Sequence, residues 1–252
     1  MMRDPRPPQG AQSALRAIRL LKLFTPERAE MTLAELSAAA ELNKTTTHRL
    51  LQALQSESLI ERNAANSAYS LGPGLMALGV QALASSDLRR RVRPLLRALA
   101  RDIGETATLE VPVENSMLIL DEVAGGHVIS AAGNIGTRWP LHATSTGKAW
   151  LAFDNDGLAR LSDSLPPLTR RTLTRKAAFQ PELTRIRRCG YAVTVDELED
   201  GFTAIATVIR SGLGEVQGAL SIGGPTQRLG PARRAEIGAS LCKAAIRLSP
   251  EY

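Results

Sequence analysis

Apolar residues recur at helical spacing near the start of the chain. Over Ser13–Phe24, leucine and isoleucine residues fall on one face of a predicted helix, and arginine and lysine residues fall on the other. Ser13 is the predicted N-cap, and Pro26 marks the point by which the helix has ended. The pattern therefore predicts an amphipathic first helix.

Two more helix starts follow closely. Thr32 and Glu35, three residues apart, match the capping-box pattern and predict a helix over Leu33–Glu41. Asn43 is a good N-cap for a third helix over Lys44–Ser56. A short helix, a tight turn and a second short helix form the geometry of a helix-turn-helix.

The third helix has two chemically distinct faces. Leu50, Leu51 and Leu54 form an apolar stripe with the methyl group of Thr47. The polar residues that remain on the opposite side or at the N-terminal tip are Lys44, Thr45, Thr46, His48 and Arg49. An arginine can donate two hydrogen bonds to guanine, a threonine offers a hydroxyl and a methyl for thymine, and a helix N-terminus favours a phosphate. These residues are candidate DNA contacts; the alternative is the solvated face of an ordinary amphipathic helix.

A predicted β-hairpin comes directly after the third helix. Leu59–Arg62 and Ala68–Leu71 are predicted strands, and the five residues between them are rich in turn formers. Such a hairpin is the wing of a winged helix-turn-helix. Arg62 and Tyr69 flank it and are candidate phosphate contacts, although an exposed wing residue can also have no role. The Gly-Pro-Gly sequence at 72–74 is predicted to end the unit.

The second half of the chain has a different texture. Predicted helices over Leu75–Ala84 and Asp87–Ile103 connect the halves, and the second of these is basic and amphipathic. The predicted strands beyond them are Thr108–Val113, Met117–Val123, Val128–Ala132, Tyr191–Val195, Ala204–Arg210 and Val216–Ile222, and the predicted helices are Ser145–Phe153, Pro181–Arg188 and Pro231–Leu248. Strands joined mostly by hairpins, with helices at the ends, predict an antiparallel α+β sensor domain.

Charge and composition narrow the class of protein. The net charge is +6, and all of the excess lies in residues 1–103, because residues 104–252 carry 16 basic and 16 acidic residues. A polyanion partner at the N-terminal end suits this asymmetry, although basic surface can also merely aid solubility. The sequence contains no run of about eighteen apolar residues, so it predicts no membrane span. Cys189 and Cys242 show no metal-ligand spacing, and with no export signal we expect reduced cysteines and a cytoplasmic location.

The residues resemble one family along nearly the whole chain, about 12–248. Two segments resemble the DNA-binding half of the isocitrate lyase regulator (IclR) family, namely LAELSAAAELNKTTTHRLLQALQSESLIERN and YSLGPGLMALG. Three later segments resemble its effector-binding half, namely PLHATSTGKAWLAF, RIRRCGYAV and ALSIGGPTQRL. The resemblance implies a GAF-like domain that senses a small organic metabolite, winged domains paired in dimers or dimers of dimers, and control of catabolic genes. Thr47 departs from the family, where an apolar β-branched residue is usual, but its methyl can still pack.

These observations predict an α+β chain with four parts. They are a disordered arm at 1–11, a winged helix-turn-helix domain at 12–73, a linker helix at 74–86 and an effector-binding domain at 87–252. The expected partners are double-stranded DNA, a small-molecule effector and a second copy of the chain.

The effector site is expected around the start of the helix at Ser145–Phe153. Backbone N–H groups of Ser145 and Thr146 would lie at a helix N-terminus, which suits an anionic group, although they can also serve only to cap the helix. By resemblance, this turn supplies main-chain contacts to the effector. The other pocket positions that the resemblance implies are Ala131, Trp139, Thr194, Phe202, Ala204, Ser221 and Gly223. The family's binders of very small keto acids place polar side chains at four of these positions, and only Ser221 is kept here. We therefore expect a larger, partly apolar or aromatic acid.

Enzyme classes find little support. The sequence around Thr146-Gly147-Lys148-Ala149 fails as a phosphate-binding loop, because His142 stands where the first glycine is required and Ala149 replaces the magnesium-binding hydroxyl. His48, His127 and His142 show no ligand spacing, and we expect no catalytic residue, metal or cofactor. A second class stays open, in which the C-terminal domain only oligomerises; a cavity beside Ser145 would count against it.

Overall fold

The computed structural model describes residues 10–25, 27–127 and 135–248. The chain divides into two compact units, the first ending at Ser85 and the second beginning at Ser86. The arm predicted at 1–11 lies mostly outside the described residues, and the predicted strand Val128–Ala132 lies wholly outside them.

The first unit is a winged helix-turn-helix, as predicted. Its elements are α1 (Gln12–Leu21), α2 (Leu33–Ala39), α3 (Lys44–Ser56), β1 (Ile60–Arg62), β2 (Tyr69–Leu71) and α4 (Pro73–Ser85). The strands β1 and β2 pair in antiparallel fashion to form the wing. Leu20, Leu36, Leu51 and Ile60 are almost fully buried and hold the helices and the wing around one core.

The predicted caps explain where α2 and α3 begin. The hydroxyl of Thr32 accepts a hydrogen bond from the backbone of Glu35, and the Glu35 carboxylate accepts one from the backbone of Thr32 at 2.7 Å, which completes the capping box. The Asn43 side chain accepts a 2.8 Å hydrogen bond from the backbone of Thr46. Buried Thr47 donates its hydroxyl to the carbonyl of Asn43 at 3.1 Å, so its methyl joins the core without an unpaired hydroxyl.

Two expectations for this unit are wrong. Ser13 does not cap α1, because the helix already begins at Gln12 with Ala11 at the N-cap position. The Gly-Pro-Gly sequence does not end the unit, since Pro73 opens α4 directly. A proline is favoured in the first turn of a helix, where its missing N–H has no intrahelical partner to lose.

The second unit is a sheet between two layers of helices. Its elements are α5 (Asp87–Ile103), β3 (Thr106–Val113), β4 (Ser116–Val123), β5 (Arg138–Pro140), α6 (Ser145–Phe153), α7 (Phe179–Cys189), β6 (Ala192–Val195), β7 (Phe202–Arg210), β8 (Val216–Pro225) and α8 (Pro231–Leu248), with short 3₁₀ turns at Gly157–Arg160 and Lys176–Ala178. The described strands form one antiparallel sheet in the order β5-β4-β3-β8-β7-β6. The predicted α+β architecture is confirmed, and β5 is a strand that the sequence pattern did not predict.

The two faces of this sheet bury separate apolar clusters. Leu96 of α5 and Leu241 of α8 pack on one face, and Leu151 of α6 and Phe179 of α7 pack on the other. The 17 residues of α5 are capped at both ends: the Ser86 hydroxyl accepts from the backbone of Arg89, and Gly104 ends the helix in the left-handed conformation with φ 84°, its backbone N–H donating to the carbonyl of Ala100. The sheet is therefore sandwiched between two layers of helices.

Candidate functional site

The N-terminal tip of α3 is presented to solvent. The side chains of Lys44, Thr45 and Arg49 are exposed, and those of Thr46 and His48 are half-buried. The opposite face of the helix is anchored by its buried leucines, as predicted. A cationic and hydroxyl-bearing tip on a rigidly packed helix suits contacts with phosphates and base edges in a major groove.

The wing contributes less than expected. Arg62 is exposed, but Tyr69 is only 3% exposed and belongs to the core of the unit. The backbones of Tyr69 and Met31 exchange two hydrogen bonds, each N–H donating to the other residue's carbonyl. The centre of the Tyr69 ring lies 5.7 Å from the guanidinium carbon of Arg62. The expectation that Tyr69 flanks the wing as a phosphate contact is therefore corrected: this side chain supports Arg62 from inside the unit.

The second unit contains a cavity of about 140 Å³ between the sheet and the N-terminal end of α6. The sequence-predicted effector residues that line it are Trp139, Ser145, Thr146, Thr194, Phe202, Ala204, Ser221 and Gly223. Ala131, the remaining predicted residue, lies outside the described residues. An apolar cavity of about 150 Å³ accepts a molecule of the size of benzene, so the space suits a single small ring or a compact metabolite.

Strand register explains why residues so distant in sequence meet here. Thr194 pairs with Ala204, Ala204 pairs with Gly223, and Gly223 pairs with Thr106, so one line of residues crosses four strands. In the next line, Ser221 pairs with Thr108. The sheet therefore supplies the floor of the cavity.

The start of α6 closes the opposite side. The Thr144 hydroxyl caps the helix by accepting from the backbone of Gly147 at 3.1 Å. The N–H groups of Ser145 and Thr146 come first in the helix, where an intrahelical acceptor does not exist. A side chain at Gly147 would meet the carbonyl oxygen of Leu141 at 2.3 Å, so this close approach requires glycine.

Sequence reasoning missed the buried acid of the cavity. Glu110 is 5% exposed, and its two carboxylate oxygens accept hydrogen bonds from Thr146 at 2.7 Å and from Thr108 at 2.9 Å. The hydroxyl of Thr108 also lies 2.8 Å from that of Ser221. Burial raises the pKa of Glu110, against the lowering effect of the two threonine hydroxyls. The signal in the sequence was the polar alternation Thr106, Thr108, Glu110 along β3.

An ion pair ties α6 to the loop that forms the cavity rim. Lys148 is 1% exposed, and its Nζ lies 2.6 Å from both carboxylate oxygens of Glu197. The next two residues of that loop, Leu198 and Glu199, line the cavity. Burial raises the pKa of Glu197 more than the charge of Lys148 lowers it. The pair is thus a costly buried contact that positions the rim.

His142, three residues before the start of α6, contacts the protein backbone. Nε2 of His142 lies 2.9 Å from the carbonyl oxygen of Pro166, and burial lowers the pKa of this imidazole. Across residues 10–25, 27–127 and 135–248, no group of three histidine, cysteine or acidic side chains is placed to hold a metal ion. In the same ranges no helix is both long and apolar enough to span a bilayer.

A winged helix-turn-helix unit and a second unit with a partly open cavity of small-molecule size are typical of a DNA-binding transcription regulator. The family model "IclR helix-turn-helix domain" matches residues 13–64, and the model "Bacterial transcriptional regulator IclR C-terminal" matches residues 80–250. The chain belongs to the IclR family of bacterial transcription regulators and is not an enzyme.

Named relatives agree with this assignment. The chain is 32% identical over 224 residues to the glycerol operon regulatory protein of Streptomyces griseus, with 88% of each chain covered. It is 30% identical over 246 residues to the transcriptional repressor IclR of Escherichia coli K12, with 96% of this chain and 90% of the relative covered.

Solved structures show the same fold. An IclR transcriptional regulator from Silicibacter sp. TM1040 superposes with a TM-score of 0.84 at 28% identity, covering 94% of both chains. An IclR homologue from Microbacterium hydrocarbonoxydans, crystallised with 4-hydroxybenzoate, superposes with a TM-score of 0.77 at 28% identity, covering 94% of this chain and 97% of the other.

Proposed function

We propose that α3 is the recognition helix and enters the major groove of an operator. The observation that carries this proposal is the exposed cationic tip of α3, held outward by buried leucines and followed directly by a wing. The proposed DNA contacts are Lys44, Thr45, Thr46, His48, Arg49 and Arg62. Arg49 is the candidate for base recognition, because a guanidinium can donate two hydrogen bonds to guanine, and Lys44 and Arg62 suit phosphates.

Replacing Arg49 by alanine tests this directly. We expect a loss of about 1–3 kcal/mol in binding to a duplex selected by the wild-type protein from a random pool, because a bidentate base contact is removed. Binding to a scrambled duplex should fall much less. Fluorescence anisotropy at fixed salt measures both affinities.

The matched control is Arg188→Ala, which removes the same charge from an exposed position on α7 in the other unit. Its discrimination between the two duplexes should equal that of the wild type. Equal discrimination in the Arg49 variant would remove this residue from the readout of sequence.

We further propose that the cavity binds a small, partly apolar or aromatic organic acid. Trp139, Phe202 and Ile119 supply flat and apolar wall, and the first N–H groups of α6 supply donors for an anionic group. The relative crystallised with 4-hydroxybenzoate supports this size and class of ligand. The cavity beside Ser145 counts against a domain that only oligomerises. The ligand would act by binding one arrangement of the protein better than another, which changes operator affinity.

A dimer that pairs two winged units, or a dimer of such dimers, is the proposed functional assembly. Helix α4 favours it, because this apolar helix has no buried residue and exposes Met76, Leu78 and Val80 by 55–66%. Two half-sites also bind DNA more tightly than one. We expect sedimentation equilibrium of the full chain to give a dimer or tetramer mass; a monomer at operator-binding concentrations would contradict this.

We propose that the functions divide at the predicted boundaries, with α4 linking the domains although it belongs to the first compact unit. Residues 12–73 would bind DNA, 74–86 would link the domains, and 87–252 would bind the effector. A regulator with these two ligands is proposed to act in the bacterial cytoplasm, where DNA and metabolites are both present.

A further inference from the structure

The charged residues that line the cavity are acidic and would repel an anion. Three acidic residues line it, buried Glu110, half-buried Glu122 and exposed Glu199, and no lysine, arginine or histidine does so among the described residues. Residues 128–134, which the structure does not describe, contain no charged side chain in the sequence. An ionised acid that enters this space therefore meets negative charge without a neutralising cation.

Glu110 is the acidic residue of the cavity that contacts the start of α6, where a bound anion is expected. Its carboxylate accepts from Thr146, whose own N–H is one of the first two of α6. A carboxylate bound by the N–H groups of Ser145 and Thr146 would consequently lie near that of Glu110, because Thr146 already donates its hydroxyl to Glu110 at 2.7 Å. Two carboxylates at such a separation cannot both be ionised without a large cost, so one of them takes up a proton.

A separate observation points to a ligand at this place. Thr106 lines the cavity and is 2% exposed, yet its hydroxyl has no hydrogen-bond partner among the described residues. A buried polar atom without a partner costs free energy, and a bound molecule with a polar group can satisfy it. A ligand with a polar group in this cavity can therefore supply the partner of the Thr106 hydroxyl.

We propose that Glu110 is a specificity-determining residue that is protonated whenever an organic acid occupies the cavity, so that effector binding is coupled to the uptake of one proton. The proton comes from solvent and stays on the Glu110 carboxyl, which then donates one hydrogen bond where the carboxylate only accepted. No covalent bond changes. This inference rests on the proposed acid effector and adds the residue that admits it.

The sign of the pH dependence follows. Burial already raises the pKa of Glu110 in the empty protein, and a bound anion raises it further. At a pH below the pKa of Glu110 in the empty protein, the carboxyl already carries its proton, and the affinity for the acid does not change with pH. Above it, the affinity falls by about tenfold for each pH unit, because each binding event must draw a proton from solution.

Other groups that face Glu110 define the controls. Glu122 on β4 and Glu199 on the rim loop line the same cavity and are the alternative proton acceptors. From α6, the charge of Lys148 is committed to Glu197 at 2.6 Å. The residues of β8 opposite Glu110 and Thr108 are Ala219 and Ser221, which do not titrate in this range.

The test is calorimetric titration of the full chain with 4-hydroxybenzoate and with its neutral analogue 4-hydroxybenzamide, from about pH 5 to about pH 8, below the range in which their phenol groups ionise. Two buffers with different ionisation enthalpies give the number of protons taken up. Wild-type protein should bind the acid with an affinity that falls about tenfold per pH unit at the upper end, and the amide with no such slope. Glu110→Gln, which imitates the protonated carboxyl, should bind the acid with a level affinity and take up no proton.

Glu122→Gln tests whether Glu122 takes up the proton in place of Glu110. Glu215→Gln is the charge control, because it removes an equal charge at an exposed position outside the cavity. Both should keep the wild-type slope. Acid binding with no proton uptake by the wild type, or a slope that survives in Glu110→Gln and disappears in Glu122→Gln, would overturn the inference while leaving the proposed effector class intact. If neither compound binds at any pH, both the inference and the effector class fail, whereas operator binding remains a separate question.

Discussion

Replacing Lys148 by methionine is expected to lower the free energy of unfolding of the second unit by about 3–5 kcal/mol. The lysine is 1% exposed and Glu197 has a side chain only 12% exposed, so the variant leaves a carboxylate buried without its cation. Methionine fills similar space beside Phe179, whose ring centre lies 5.9 Å from Nζ. The loss therefore comes from the unpaired charge and not from a cavity.

The size of this loss should depend on pH in a defined direction. Burial raises the pKa of Glu197 even with the lysine present, and removal of the lysine takes away a lowering influence. A group whose pKa is raised by folding stabilises the folded state at low pH and loses that contribution as the pH rises. The variant should consequently be most impaired near neutral pH and recover towards about pH 4, where a free glutamate also binds its proton.

Urea unfolding followed by tryptophan fluorescence measures this effect selectively, because both tryptophans, Trp139 and Trp150, lie in the second unit. Lys243→Met is the matched control, since it removes an exposed lysine of α8. The double variant Lys148→Met/Glu197→Leu should recover most of the loss, because both charges are then absent. A wild-type midpoint in the single variant would show that the pair contributes nothing to stability.

The second large effect is expected in the first unit. Leu51→Ala should destabilise the winged helix-turn-helix by about 2–5 kcal/mol, since a fully buried side chain of its single core is removed. A domain commonly has only about 5–15 kcal/mol of stability in total. Operator affinity should fall with the folded fraction of this unit, although Leu51 faces away from the tip of α3.

Hydrogen exchange of the full chain resolves the two units in this experiment. Protection should drop in α1, α2 and α3 and remain unchanged in the sheet of the second unit. Gln52→Ala serves as the control, because it is the next residue on the same helix and is exposed. Equal protection of α3 in Leu51→Ala and in the control would refute the assignment of Leu51 to the core.

Local signals in the sequence were sufficient for most of the first unit. Thr32, Glu35 and Asn43 form their caps with side chains only three residues from their partners, so short-range chemistry determines where α2 and α3 begin. The buried face of Tyr69 was missed because it depends on a contact with Met31, 38 residues earlier in the chain. Neighbouring residues carry no sign of such a pairing.

The cavity shows a different limit. Thr106, Thr108 and Glu110 alternate with Ala107 and Leu109 along β3, a pattern that ordinarily predicts one solvent-facing side. Here both sides are buried, because α6 covers the polar side. Resemblance to a family supplied eight of the lining positions, whereas the position of Glu110 depends on strand register and on a helix more than 30 residues later.

The strand β5 could not be predicted from its own residues, whereas the equally short β1 and β2 flank a turn-rich segment that predicts a hairpin. β5 has three residues, and a strand of that length has no periodicity of its own to detect. It exists because Trp139 pairs with Met117 on β4. Such a strand is stabilised by its neighbour and not by its own sequence.

We propose above that the tip of α3 contacts bases in a major groove. The most direct test of this proposal is methylation interference at guanine N7 on the selected duplex, carried out with wild-type protein and with Arg49→Ala. We expect at least one guanine whose methylation weakens wild-type binding but not binding of the variant, since the contact to N7 is then already absent. The same interference pattern for both proteins at every guanine would contradict it.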